Sequence, residues 1–283
     1  MEVHERRLLN VVFFTLYFFL LLFSLWGLLL LTGPWIERAL GRAAHRTAAF
    51  RYGDYLGVIV LLVAGLGGAV LAGDVFIDLA EQIHDESAEL RTIDSEVHEW
   101  ARTTHSSGGT TFFVAMTIIG TPVGLSILIF CVVIALALRK RWSWIAYLIL
   151  TTSIGGLINR ALKQFFARER PELAEALRHA SGYSFPSGHA MGSTIVFGAF
   201  AYLAFRALRQ WRVRAPLVAL SLTMIVAISA SRLYLGVHWI SDVGAGIAAG
   251  SIWVVTTTVA YETFRRVSKV RHRRALQAEH GDS

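Results

Sequence analysis

The sequence predicts an all-α bundle that crosses a membrane several times. Three observations predict it. Hydrophobic residues make up 54% of the chain and charged residues 17%, against roughly 25% charged in a soluble domain. Several apolar runs reach the about 20 residues that a helix needs to cross the hydrocarbon core. Backbone polar groups in hydrocarbon must be paired within the protein, so such runs fold as helices.

The first run, 9–32, exceeds the about 7–15 residues of a signal-peptide core. It reads as a retained span, stopped by Gly33-Pro34. Further spans are expected at 55–73, 110–138, 142–161, 189–205, 215–231 and 242–262. The run 110–138 contains Gly120-Thr121-Pro122, where a helix kinks or restarts. Between 74 and 109 nine carboxylates stand against Arg91 and Arg102. There Ile93, Val97 and Trp100 recur at helical spacing, so an amphipathic helix lying on the membrane is expected. A lid over a site is the sharper alternative. The chain then divides into 1–54 (an extra N-terminal transmembrane helix and a basic loop), a core over 55–262, and a basic cytoplasmic tail over 263–283.

The net charge is +7. Its distribution argues against a nucleic-acid partner, because the basic residues cluster in short loops between spans. Seven spans divide the loops into two sets, with 17 basic residues on one side and nine on the other. The richer set is expected in the cytoplasm. Arg6 and Arg7 before the first span pull the other way. The single cysteine, Cys131, excludes an intrachain disulfide and is expected to be a small core residue.

Three polar clusters sit at span ends on the less basic side. One holds Lys163, Arg170 and Pro171. The next is Pro186-Ser187-Gly188-His189. The last holds Ser231, Arg232, His238 and Asp242. Singly they read as snorkelling cations, a helix cap and a helical pair one turn apart. Together they concentrate positive charge that needs an anion, and arginine's planar fork suits phosphate oxygens. The N–H groups after Ser187 open a helix and add to an anion site. Asp242 orients one nitrogen of His238 and leaves the other to attack. His189 is placed to protonate a leaving oxygen. The two histidines and the carboxylate also have the composition of a metal site, but the surrounding cations disfavour it. No cofactor is expected.

The pattern K-x6-RP, PSGH, SR-x5-H-x3-D resembles the type 2 phosphatidic acid phosphatase family, which shares its active site with vanadium haloperoxidases. All eleven fixed positions match, and the resemblance covers about 95–262. It implies a six-helix core, to which 9–32 adds one helix. It also implies a metal-independent lipid phosphatase, with His238 forming a phosphohistidine, Asp242 as its partner and His189 as general acid. Lys163, Arg170, Ser187, Gly188 and Arg232 would bind phosphate. Bacterial relatives of this kind act at the outer face of the inner membrane. Phosphatidate, phosphatidylglycerol phosphate, undecaprenyl diphosphate and lipid A phosphate are the substrates it allows. Transfer to an acceptor lipid is the alternative reaction, and a transporter or inactive signalling relative the remote one. Arg178 and His179 are the expected headgroup contacts. Phe165, Phe166, Tyr183, Phe185, Tyr234 and Trp239 are expected in an interfacial belt or at the lipid access.

Overall fold

Helix follows helix through the computed structural model, which describes residues 53–171, 182–208 and 210–281. The elements are α1 (Gly53–His84), α2 (Ala88–Thr103), α3 (Ser107–Ile119), α4 (Pro122–Leu138), α5 (Trp142–Phe166), α6 (Gly188–Ala207), α7 (Trp211–Tyr234) and α8 (Ile240–Gly281). Among these residues α5 to α8 are long and apolar enough to cross a membrane, and the bent pair α3–α4 makes a fifth span. The expected span 9–32 and the residues Arg178 and His179 lie outside the described residues.

The break at 120–122 has a local cause. Pro122 has no N–H to give, so it suits a helix start. Thr121 caps α4 through its side chain, which accepts from the Gly124 N–H at 3.0 Å. The two helices meet at 58°. Three helices outrun their apolar stretches: α1 to His84, α5 to Phe166 and α8 to Gly281. Backbone pairing continues past the last lipid-facing residue, which hydropathy alone does not register.

α6 is the centre. It packs on α7 and α8, and less closely on α5 and α4. Val196 and Phe197 join Leu125 of α4 and Met224, Ile225 and Ile228 of α7. Ala199 and Leu203 meet Leu136, Tyr147 and Leu148, while Met191 and Ile195 meet Ala249 of α8. Small residues set the α6–α8 distance. A Cβ on Gly246 would lie 2.8 Å from the Ser187 carbonyl oxygen, and one on Gly250 2.8 Å from Thr194 Cβ. Close backbone approach of this kind is how helices associate where burial from water offers no drive.

The outer surface is apolar. Ile127, Phe130 and Leu138 of α4, Leu150 and Leu157 of α5, and Val226 of α7 are exposed. Ser193, Thr194, Ser221, Thr223 and Ser229 are buried instead. Apolar patches this continuous are not sustained against water, so this is an integral membrane protein. One sequence expectation fails here. Cys131 is exposed on α4 rather than in the core. α4 is apolar on every side, so its periodicity carries no record of which face packs.

Candidate active site

Four helix ends meet at one end of the bundle: the last turns of α5 and α7 and the first turns of α6 and α8. Every predicted catalytic and phosphate-binding residue lies in these turns or in the segments that join them. Ser187 is the N-cap of α6, its side chain accepting from the Ala190 N–H. Its own N–H donates to the Asp242 carbonyl at 2.9 Å, which ties the start of α6 to the start of α8.

The spacing from Arg232 to His238 is the end of α7 folding back on itself. Gly236 has φ +69°, a left-handed conformation that glycine adopts without steric cost. Its N–H donates to the Leu233 carbonyl at 2.9 Å, and the next N–H, from Val237, donates to Arg232 at 3.2 Å. This pair of bonds is a Schellman cap. It buries Val237 and delivers His238, 3% exposed, beside Arg232, 6% exposed.

α8 begins directly after. Asp242 is three residues past Trp239, and its Oδ2 accepts the Trp239 N–H at 3.1 Å, as the acidic member of a capping box does. The same oxygen lies 3.1 Å from His238 Nδ1. On the far side of the ring, Arg170 Nη1 is 3.0 Å from Nε2. A guanidinium only donates. Nε2 is therefore the acceptor, and Nδ1 carries the proton and donates it to Asp242. Burial, with Arg170 and Arg232 adding to it, pushes the His238 pKa down to about 4 against the pull of Asp242. The ring is neutral at pH 7 with a lone pair on Nε2.

The cations line this nitrogen and the segment 182–184. Arg170 Nη1 also donates to the Val237 carbonyl at 2.7 Å, and its Nε to Gly182 at 2.8 Å. Partial burial lowers the Arg170 pKa, and arginine stays charged through any such shift. Lys163 Nζ donates to the carbonyls of Tyr183 at 2.6 Å and Ser184 at 3.2 Å. Arg232 bonds Thr117 Oγ1 of α3. His189 bonds the backbone of the same Thr117 and lies in the field of the Arg232 and Arg170 charges. Its Nε2 is buried with no hydrogen-bond partner among the described residues. α3 thus contributes to the site from a segment read only as part of a span.

Three further residues were not singled out from the sequence. Arg168 places Nη1 2.7 Å from Asp242 Oδ1 and Nη2 2.7 Å from Asp94 Oδ2. Asp94 belongs to α2, is 2% exposed, and accepts from the Ser241 N–H at 3.0 Å and from its hydroxyl. α2 is the helix expected over 74–109. Its predicted stripe residues Ile93 and Trp100 are exposed, and it packs through Leu90, Asp94 and Ala101. That face is the spacing i, i+4, i+11 with a carboxylate in it, which an apolar count passes over. Of the aromatic residues, Phe185 is fully buried, Phe165 81% exposed and Tyr183 39% exposed.

Known proteins resemble this chain in sequence and in fold. A family model described as the PAP2 superfamily matches residues 144–266. Phosphatidylglycerophosphatase B of Bacillus subtilis is 36% identical over 113 residues, 40% of this chain and 55% of the relative. Lipid A 1-phosphatase of Rhizobium etli is 35% identical over 129 residues, 42% of this chain and 51% of the relative. The chain thus spans about half the length of the curated relatives it matches. A crystal structure titled as a transmembrane PAP2 type phosphatidylglycerolphosphate phosphatase from Bacillus subtilis superposes with a TM-score of 0.63 at 26% identity. It covers 68% of this chain and 94% of that one. Residues 144–266 thus match the PAP2 superfamily model, and the chain shares its membrane fold with that Bacillus subtilis structure.

Proposed function

We propose that this protein is an integral membrane lipid phosphatase acting through a phosphohistidine at His238. The observation that carries this reading is the His238 ring, held by Asp242 at Nδ1 and faced by Arg170 at Nε2. Nε2 attacks phosphorus as the bond to the leaving oxygen breaks, and His189 supplies the proton that oxygen needs. Water then attacks phosphorus, the P–N bond breaks and the water proton returns to His189. Lys163, Arg170, Arg232, the Ser187 hydroxyl and the Gly188 N–H hold the phosphoryl oxygens as charge develops on them. No metal takes part in this scheme.

The substrate class is a lipid phosphomonoester or diphosphate: the names of the relatives favour phosphatidylglycerol phosphate or lipid A phosphate, and undecaprenyl diphosphate and phosphatidate are the other candidates. The bacterial relatives favour an inner membrane location, and the basic-residue count favours the His238 end outside the cytoplasm.

The test is phosphate release from those four lipids by purified protein. His238→Ala is expected to abolish it, and His189→Ala to lower it about 100- to 10,000-fold. The acidic limb of kcat/KM is expected near pH 4, not the 6.5 of an ordinary histidine. Full release by His238→Ala sinks the reading. Labelled phosphate appearing on a second lipid, rather than in solution, identifies a transferase.

A further inference from the structure

The end of the bundle opposite His238 holds a second concentration of positive charge, and it has a cavity. Arg139 and Arg141 of the α4–α5 turn, Trp144 of α5, Arg206 and Ala207 at the end of α6, and Arg265 of α8 line a volume of about 510 Å³. Ligand sites commonly measure about 300–1,000 Å³. From Asp242 to Arg265 along α8 is about 35 Å at 1.5 Å per residue, close to the about 30 Å of a hydrocarbon core. The two sites therefore lie at opposite membrane surfaces.

The charges around this cavity do not balance. Glu262 forms an ion pair with Arg206 Nε at 3.0 Å and accepts from Arg265 Nη2 at 2.8 Å, and Arg266 Nε lies 3.8 Å away. Tyr202 also donates to it at 2.5 Å. One buried carboxylate thus serves three guanidinium groups. Arg139 and Arg141 have no carboxylate partner among the described residues. The Arg141 guanidinium sits 5.3 Å over the Trp144 ring, which fixes its plane at the cavity wall. Interfacial arginines usually snorkel singly toward water. Here four from three separate segments turn on one cavity at headgroup depth.

We infer that this cavity is a second phosphate site, for the headgroup of an anionic phospholipid. It is separate from the His238 site, and the inference does not depend on the activity proposed there. Basic pockets between transmembrane helices take phospholipid headgroups, and the planar guanidinium fork pairs two phosphate oxygens at once. The apolar outer faces of α4 and α5, with Leu138 81% and Trp142 66% exposed, leave room beside the cavity for acyl chains.

Native mass spectrometry of the full chain in detergent tests this, with phosphatidylglycerol, phosphatidylcholine and inorganic phosphate as separate probes. Wild type is expected to retain phosphatidylglycerol over phosphatidylcholine. The double variant Arg139→Gln/Arg141→Gln should bind it about thirtyfold more weakly, as two interfacial charges are removed. Arg139→Lys/Arg141→Lys should keep most of the binding, and thermal unfolding in the same detergent shows that each variant is folded. Equal retention of the two lipids, or a Gln variant that is folded and binds like wild type, overturns the inference. So does loss of the lipid in Arg170→Gln alone, because the lipid would then sit at the His238 end. Protection by inorganic phosphate without lipid binding assigns the cavity to a free anion and rejects the lipid.

Discussion

Asp242 takes donors on both oxygens: His238 and the Trp239 N–H on Oδ2, Arg168 on Oδ1. That is the acceptor-only pattern of an ionised carboxylate. Arg168 is itself fixed by Asp94, so the orientation of the His238 ring is set three residues deep. We propose Asp94 as a positioning residue. Asp94→Asn keeps the size of the side chain and removes its charge, and kcat is expected to fall about 100-fold with KM near wild type. A matching fall in Arg168→Gln, with no further loss in the double variant, identifies one shared chain. An unchanged kcat in Asp94→Asn rejects it. Protonation also has a stability side. His238 titrates near 4 in the fold against 6.5 unfolded. The unfolded chain takes up the proton first as pH falls, so this residue's contribution is intact above 6.5 and is lost as pH falls toward 4. The eight candidate catalytic and phosphate-binding residues were legible because their types and spacings are chemical. Asp94 and Arg168 were present in the sequence as one carboxylate of nine and one cation among several. Only the fold pairs them.

At the scale of elements, the spacings of the motifs are the lengths of helix ends. Six residues from Arg232 to His238 are a last turn, a Schellman cap and one step. Gly236→Ala forces a side chain into the left-handed region, at a cost of about 1–2 kcal/mol. It is expected to lower the thermal unfolding midpoint in detergent and to reduce phosphate release together. A variant with wild-type stability and rate contradicts the cap's role. The helices themselves were legible from apolar runs, and the 58° bend from Gly120-Thr121-Pro122. Their ends were not, because hydropathy records where lipid stops, whereas α1 and α8 continue as long as their backbones stay paired. The outward face of α4 was equally unreadable, since a helix of uniform hydrophobicity has no polar side to mark.

The whole molecule has two unlike ends, one carrying His238 and the other the arginine cavity. With the proposed orientation, a cysteine at exposed Thr104 should react with a membrane-impermeant maleimide added to intact cells. One at exposed Ser268 should react only after permeabilisation. Both replacements are made in a Cys131→Ser background, since Cys131 is the only native thiol. The reverse pattern inverts the orientation, and with it the leaflet from which substrate is drawn. The sequence count of basic residues indicates this polarity, but it does not foretell that part of the basic set closes around a cavity. That depends on the start of α5, the end of α6 and the Arg265 turn of α8 lying at the same depth.

α8 is a single helix from Ile240 to Gly281, with Asp242 in its first turn and Glu262 and Arg265 near the other surface. Its rise is fixed by covalent geometry, so it cannot shorten or stretch to suit the lipid around it. A bilayer thinner or thicker than the rod must tilt it or deform around it. Tilt at one surface displaces the carboxylate that holds the His238 ring at the other. Acyl-chain length, which touches no catalytic atom, thereby becomes a variable of the reaction.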